Sequence, residues 1–285
     1  EAIAHYQHIL RHQPKHIETY SLLGESCLEK GLYREAIDFF QRTLSADPES
    51  LTARVGLGII YDRQDALAEA IWQMERAFEL APGDDRVRDE LQRLYARRDG
   101  KKKDRLYLTR GALGRLYARN ALHERAIAEF NDILEASPRM PDIHVALAES
   151  LWREGRRLEA VEACLNILQE LPFCLKANLI LGEILTRGGH LEAAKEKLGV
   201  ARALDPENVV AQELMGRDSP LTHVQVYLPL LEMAPDVLDF TVIPDKEEPD
   251  SVVDQVAAGG DADAAAEPEV EPGWLQDIRS IVPGE

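Results

Sequence analysis

Apolar and small residues recur along the chain at helical spacing, and short polar turns interrupt them at regular intervals. The segment that begins at Ile17 has its apolar residues on one helical face, and Gly31 then stands at a position typical of a helix C-terminus. A second helix follows with one apolar stripe, formed by Ala36, Ile37, Phe40 and Leu44. Pro48 ends that helix, because proline cannot continue one. The pattern predicts a pair of amphipathic helices.

Six prolines indicate that this helix pair is repeated. They form two series with a spacing of 34 residues: Pro14, Pro48 and Pro82, then Pro138, Pro172 and Pro206. An alanine stands 12 residues before each of them: Ala2, Ala36, Ala70, Ala126, Ala160 and Ala194. A fixed period of this length is typical of stacked helix pairs, since one pair cannot bury its apolar face alone. We therefore predict an all-α fold, an α-solenoid of stacked antiparallel helix pairs.

Two copies of the repeat carry matching residue types at matching positions. One copy has Leu57, Gly58, Tyr61, Ala70, Met74, Ala77 and Pro82, and the other has Leu113, Gly114, Tyr117, Ala126, Phe130, Ile133 and Pro138, so that Met74 replaces the aromatic residue in the first and Ile133 the third small residue in the second. Over roughly residues 1–216 the pattern resembles the tetratricopeptide-repeat (TPR) family, bacterial members in particular, which implies a superhelix with a protein-binding concave groove. The fourth position departs from the family pattern, and we expect the departure to weaken local packing: Tyr20, Arg54, Arg110, His144 and Asn178.

Two irregularities divide the predicted array. The chain opens on a second-type helix at residues 1–13 without a first helix, and we expect upstream sequence to be missing. Leu91 and Leu113 hold equivalent positions but lie 22 residues apart instead of 34, so one second-type helix is absent between them. We predict a first TPR sub-array over residues 1–98 that ends in a half repeat, a basic connecting loop over 99–108, and a second sub-array over 109–235 that ends in a capping segment, with a helix beginning near Ser219.

Residues 236–285 differ in composition from the array. They contain 14 acidic and two basic residues, a net charge of −12 out of −18 for the whole chain. Because the segment is rich in Asp, Glu, Ala, Gly and Pro and has no helical apolar stripe, we predict a disordered acidic tail. A short motif near its end has apolar side chains at helical spacing: Trp274, Leu275, Ile278 and Ile281. Self-docking of the tail on the array and binding of this motif to another protein are both open interpretations.

Composition excludes several classes of partner. A net charge of −18 disfavours nucleic acid, which requires a dominant basic face. The chain has no apolar run long enough to span a bilayer, so we predict no membrane partner for it. Three cysteines, an odd number, argue against a disulfide framework, and we expect a cytoplasmic location.

Two clusters of side chains are candidates for binding. His5, His8 and His12 share one helical face and are weak metal candidates; the alternative is a solvated surface, and we predict no metal. Arginines recur at position 13 of the repeats, and we call them the position-13 arginines: Arg63, Arg97, Arg119, Arg153 and Arg187. Further groove candidates are Arg93 and Arg115 at position 9, with Glu149 and Glu183. Guanidinium groups bind carboxylates, so these arginines could receive an acidic peptide, or else pair with neighbouring glutamates as a solvated face.

No motif in the sequence indicates catalysis, since phosphate-binding glycine loops, zinc-protease motifs and nucleophile elbows are all absent. We predict a non-enzymatic protein without cofactors, a scaffold or adaptor that binds a partner peptide or helix in its concave groove. The alternative is that this array is the interaction or oligomerisation portion of a larger enzyme or regulator whose functional domain lies upstream of residue 1. A third possibility is a membrane-assembly factor anchored by an upstream helix.

Overall fold

The computed structural model describes residues 2–101 and 106–229. The helices of the first part are α1 (Ala2–His12), α2 (Ile17–Glu29), α3 (Tyr33–Ala46), α4 (Leu51–Arg63), α5 (Leu67–Leu80) and α6 (Asp85–Asp99). Those of the second part are α7 (Arg110–Arg119), α8 (His123–Ala136), α9 (Pro141–Glu154), α10 (Arg157–Glu170), α11 (Leu175–Arg187), α12 (Leu191–Leu204) and α13 (Val209–Met215), followed by a 3-10 turn at Gly216–Asp218. In the ranges that the structure describes there is no strand, and the all-α prediction is confirmed.

The helices pack as a solenoid. Five antiparallel pairs are formed by helices adjacent in sequence: α2 with α3, α4 with α5, α7 with α8, α9 with α10, and α11 with α12. The second helix of a pair also packs against the first helix of the next, as α3 does against α4. We call α1–α6 the first sub-array and α7–α13 the second sub-array; their division into separate domains stays a prediction.

Small residues allow neighbouring helices to approach closely, as the ring of Phe40 shows. Phe40 is fully buried, and the ring lies directly against the backbones of Gly24 in α2 and Gly56 in α4. A Cβ atom on Gly24 would lie 2.5 Å from the ring atom Cε1, which no side chain tolerates without a shift. One aromatic side chain therefore joins two successive helix pairs.

Side chains at the fourth position of the repeat form hydrogen bonds with the turn that precedes their helix. Their side chains reach the carbonyl oxygen of the proline six residues earlier: Tyr20 to Pro14 at 2.7 Å, Arg54 to Pro48 at 3.4 Å, His144 to Pro138 at 2.7 Å and Asn178 to Pro172 at 3.0 Å. These bonds satisfy carbonyl groups in the turns between repeats. The expectation that the departures weaken local packing is therefore wrong. Arg110 is the exception, since it is directed towards Asp132 at 2.9 Å.

The irregular spacing near residue 100 has a structural counterpart. α6 ends at Gly100, whose φ of 71° is accessible to glycine at little cost, and no second-type helix follows it within the described residues. Instead α7 packs against the C-terminal end of α5. Thr109, which caps the N-terminus of α7, donates a hydrogen bond of 2.7 Å from its hydroxyl to the carboxylate of Glu79. The second sub-array is thus attached to α5, and not to a second-type helix that would follow α6 in a regular repeat.

The two sub-arrays also meet through the end of α3 and the chain before α2. Ala46, at the end of α3, is buried within the core of the second sub-array, and Ile17 packs against the same core. Nearby, the ammonium group of Lys15 lies 4.2 Å from the centre of the Phe173 ring. These contacts bring the turn between α3 and α4 to the inner side of the second sub-array.

The chain after the 3-10 turn covers the end of the array. From Ser219 to the end of the described range the chain is not helical, contrary to the predicted capping helix. It runs in extended form, with Leu221 buried in the core and the side chain of Asn208 donating a 2.8 Å hydrogen bond to the carbonyl oxygen of Thr222. The whole of the predicted tail, residues 236–285, lies outside the described residues, and with it Trp274, Leu275, Ile278 and Ile281.

Candidate functional site, a charged cavity between the sub-arrays

A cavity of about 640 Å³ opens between the two sub-arrays. Its walls are formed by α7, α9 and α11, by the turn between α3 and α4 and by the C-terminal end of α5. The lining includes four cationic side chains and two carboxylates: Arg115, Arg119, Arg153 and Lys176, with Glu49 and Glu149. Cations therefore outnumber carboxylates in the lining of the cavity, although the net charge of the whole chain is −18.

Glu49 holds the central position in this set of charges. It lies in the turn between α3 and α4, where its backbone N–H donates to the side chain of Asp47 at 3.1 Å. One carboxylate oxygen of Glu49 accepts a hydrogen bond of 2.7 Å from Arg115 Nη1 in α7. The other accepts a bond of 2.8 Å from Lys176 Nζ in α11. A single carboxylate of the first sub-array thus joins two helices of the second.

Further pairs extend this contact into a row of alternating charges. The other terminal nitrogen of Arg115 donates to Asp142 at 2.8 Å, and both of these side chains are almost completely buried. Lys176 also donates to Glu149 at 2.9 Å, and Glu149 accepts a second bond of 2.9 Å from Arg153. The Nε atom of Arg115 is buried without a hydrogen-bond partner. The row therefore has one unused buried donor.

Lys176 and Glu149 stay ionised at neutral pH. Burial opposes the charged form of Lys176, but the carboxylates of Glu49 and Glu149 outweigh burial and raise the pKa of the ammonium group above its ordinary value. Burial likewise opposes ionisation of Glu149, but Lys176 and Arg153 hold the pKa of that carboxyl below its ordinary value. Groups that keep a fixed charge are suited to electrostatic binding rather than to proton transfer.

Arg119 and Arg153 connect the cavity wall to the ends of other helices. Arg119 donates a 2.6 Å hydrogen bond to the carbonyl oxygen of Leu80, the last residue of α5. Arg153 donates a 3.1 Å bond to the carbonyl oxygen of Leu214 in α13, and its guanidinium lies 5.5 Å from the centre of the Trp152 ring. Cations are favourable at helix C-termini, because unpaired carbonyl groups give that end a partial negative charge.

Comparison with known protein families identifies the repeat. Two sequence profiles, each described as tetratricopeptide repeat, match this chain, one over residues 28–97 and the other over residues 1–50 and 112–173. The chain belongs to the tetratricopeptide-repeat family. None of the curated proteins matches it in sequence.

Solved structures of other TPR proteins resemble the chain at low sequence identity. One of MamA is 21% identical, covers 68% of this chain and 98% of its own, and has a TM-score of 0.31. The TPR domain of P58(IPK) is 12% identical, covers 71% of this chain and 55% of its own, and has a TM-score of 0.36. YrrB, described as a TPR protein with an unusual peptide-binding site, is 16% identical, covers 73% of this chain and 96% of its own, and has a TM-score of 0.32.

The position-13 arginines of these TPR repeats do not form one continuous row of unpaired cations. Arg119 and Arg153 line the cavity, whereas Arg63 lies elsewhere and donates a 3.0 Å bond to the Tyr33 hydroxyl. The remaining two, at the ends of α6 and α11, pair with carboxylates: Arg97 with Asp62 and Asp65, and Arg187 with Glu183 and Asp218. Of these acidic partners, Glu183 also accepts a 2.9 Å bond from the indole of Trp152.

A second cavity, of about 540 Å³, lies in the groove of the first sub-array. Its charged lining is mainly acidic: Glu25, Asp84 and Glu90, with Arg86 as the one cation among its lining residues. Leu28, Val55 and Ile59 add half-buried apolar surface. Arg93, at position 9 of the half repeat, lies nearby and pairs with Asp62 at 2.5 Å and Glu90 at 2.6 Å. Leu51 borders both cavities, so the two sites are adjacent.

The histidines of α1 do not come together with other ligands. The rings of His8 and His12 lie 4.9 Å apart, edge to face, and His8 bonds the carbonyl oxygen of Pro229 at 2.8 Å. Across residues 2–101 and 106–229, no group of three His, Cys, Asp or Glu residues is placed to hold a metal ion, so His5 is not brought into a site. In the same ranges no helix has the length and apolarity needed to cross a membrane.

Two residues that line the cavity, Glu49 and Lys176, are missing from the set of groove candidates that the sequence indicates, and so is Asp142, the buried partner of Arg115. Glu49 belongs to a turn, where the repeat pattern specifies no residue type. Lys176 lies 127 positions further along the chain, and no spacing rule connects residues so far apart. The one available signal is at position 9, where an arginine in the interior of a predicted helix requires a carboxylate partner if the position is buried.

Proposed function

We propose that this TPR protein is a non-catalytic interaction scaffold that binds an acidic, extended segment of a partner protein in the cavity between its sub-arrays. The observation that carries the proposal is the excess of four cations over two carboxylates in the cavity lining. Arginine and lysine side chains fixed by neighbouring carboxylates form a preorganised surface for a further anion. The fixed charges of Lys176 and Glu149 support binding rather than a reaction.

Several other features agree with this function. The cationic side chains of the cavity belong to a chain of net charge −18, so long-range attraction of nucleic acid is not expected. Cys27, Cys164 and Cys174 are buried free thiols, which fits a reducing compartment such as the cytoplasm. The partner is accordingly a protein or peptide that carries consecutive carboxylates.

The test uses arginines that share one repeat position but differ in location. A fluorescein-labelled hexaglutamate peptide is titrated with the 285-residue chain, and anisotropy reports binding. The double change Arg119→Gln/Arg153→Gln removes two charges from the cavity and is expected to weaken binding about tenfold or more. The control Arg63→Gln/Arg187→Gln removes two charges at the same repeat position outside the cavity, and less than about twofold weakening is expected. Equal losses in both variants would show that net charge, not the cavity, binds the peptide.

The acidic tail is a second candidate ligand for the same surface, because residues 236–285 carry a net charge of −12. A chain that ends at residue 243 is expected to bind hexaglutamate more tightly than the full chain if the tail competes for the cavity. Unchanged affinity would eliminate the tail as a competitor. The Trp274 motif is then left as a candidate contact for another protein.

A further inference from the structure

The contacts of Glu49 resemble those of a bound ligand more than those of a residue within a repeat. Glu49 belongs to the first sub-array, but its side-chain hydrogen bonds go to Arg115 and Lys176 of the second, 66 and 127 positions away. Its carboxylate is 13% exposed and is held from two sides. The turn that carries it enters the concave side of α7, α9 and α11, the side that forms the cavity.

We propose that Arg115 and Lys176 form a carboxylate-binding site that the chain fills with its own Glu49, and that an acidic partner segment binds by displacing Glu49 from these two residues. The inference rests on the proposed function, since it names the point in the cavity at which the partner's carboxylate is received. It also identifies the turn between α3 and α4 as an internal competitor.

The site persists when Glu49 leaves it. Arg115 keeps its bond to Asp142, and Lys176 keeps its bond to Glu149, so neither cation is left without a carboxylate. Both cations stay oriented by these partners and present the same two donors to an incoming carboxylate.

The cavity provides the route and the additional contacts that an external ligand requires. Glu49, Arg115 and Lys176 all line it, and Arg119 and Arg153 stand along the same wall. A segment with consecutive carboxylates can therefore engage Arg119 and Arg153 before it reaches the site of Glu49. Such extra contacts are necessary, because an internal competitor acts at an effective concentration on the order of millimolar.

The experiment removes the competitor and measures the affinity of the hexaglutamate probe by anisotropy. Glu49→Gln is expected to bind the probe about tenfold more tightly than the unmodified chain. Glu29→Gln makes the same charge change at an exposed position of α2 in the same sub-array, and less than about twofold change is expected. Adding Lys176→Gln to Glu49→Gln should abolish the gain. Circular dichroism confirms that each variant keeps its helices.

Each outcome either supports or overturns the displacement of Glu49 by an acidic segment. Unchanged or weaker binding by a folded Glu49→Gln chain overturns the inference but leaves the proposed function intact, provided that the unmodified chain binds the probe through Arg119 and Arg153. If neither chain binds, the proposed function itself fails. Should Glu49→Gln not fold, Glu49→Asp keeps the charge and draws the carboxylate back by one methylene group. It is expected to tighten binding by a smaller factor, and no tightening would contradict the displacement.

Discussion

The two sub-arrays use the same helix pairs but carry different sets of charges on their inner sides. In the first, the cavity is lined mainly by carboxylates and half-buried apolar side chains. In the second, cations outnumber carboxylates and the charges form a buried alternating row. The repeat pattern fixes the small and apolar residues that hold helices together and leaves the inner-face polar residues free to vary. Within one solenoid, recognition can therefore differ from one half to the other.

Position 9 of the repeat shows the difference most directly. Arg93 in the first sub-array is 45% exposed and bonds Asp62 and Glu90. Arg115 in the second is 6% exposed and bonds Glu49 and Asp142. The residue type and the repeat position are the same, but only the second is covered by another part of the chain. Burial is thus determined by the return of the α3–α4 turn and not by the repeat itself.

The largest expected effect is on the free energy of unfolding, and it is found by replacing Arg115 and Arg93 in two separate variants. Arg115→Met leaves the buried carboxylate of Asp142 without its cation, and a loss of about 3–5 kcal/mol in the free energy of unfolding is expected. Arg93→Met breaks exposed ion pairs, and a loss of about 0–1 kcal/mol is expected. Urea unfolding followed by circular dichroism measures both. Similar losses in the two variants would contradict the assignment of the buried network to the second sub-array.

The sequence predicts the helices and their packing well, because those features depend on residues close together in the chain. The alanine and proline series predict the pairs, but the contact of Phe40 with Gly56 is not predicted, because the repeat does not specify a glycine at that position. The half repeat is predicted from the short interval between Leu91 and Leu113. The attachment of α7 to α5 is not predicted, since it depends on contacts between distant residues such as that of Thr109 with Glu79.

The candidate site is predicted only in part. The arginines at positions 9 and 13 follow from the period, but the sequence does not show which of them face a common cavity. That depends on the curvature of the solenoid, which brings Glu49 to Lys176 across 127 positions. The expectation of weak packing is also wrong at the fourth position of the repeat, which is occupied by Arg54 and Asn178 in two of the copies. Both residues instead bond proline carbonyl groups that a purely apolar side chain would leave unpaired.

A change of probe charge tests the comparison more sharply. A hexa-arginine peptide is expected to bind the acidic cavity of the first sub-array, and Glu25→Gln/Glu90→Gln should weaken that binding about threefold to tenfold. The same double change should leave hexaglutamate binding within about twofold. Anisotropy titrations at low and high salt measure both, and both affinities should fall as salt rises. Loss of hexaglutamate binding in this variant would mean that the two cavities do not act separately.

The smallest expected effect is the pH dependence of stability, which has opposite signs for two carboxyl groups, Glu149 in the second sub-array and Glu79 in the first. Lys176 and Arg153 overcome burial and lower the pKa of Glu149, so its contribution to stability is complete above its ordinary pKa of 4.5 and is lost as pH falls through the lower folded value. Burial raises the pKa of Glu79 at the end of α5, more than Arg76 and the Thr109 hydroxyl lower it. Ionised Glu79 therefore costs stability, and that cost disappears as pH falls through its raised pKa.

Two matched substitutions separate these effects from general acid unfolding. With falling pH, the stability of the unmodified chain relative to Glu149→Gln should decrease below about pH 4.5, because the chain loses a favourable carboxylate. The stability of the unmodified chain relative to Glu79→Gln should increase as pH falls towards about 4.5, because the buried carboxylate of Glu79 is neutralised in that range. Urea unfolding at a series of pH values measures both differences. If both stability differences change in the same direction with pH, the two carboxylates share one electrostatic environment. The contrast between the sub-arrays would then not extend to their buried charges.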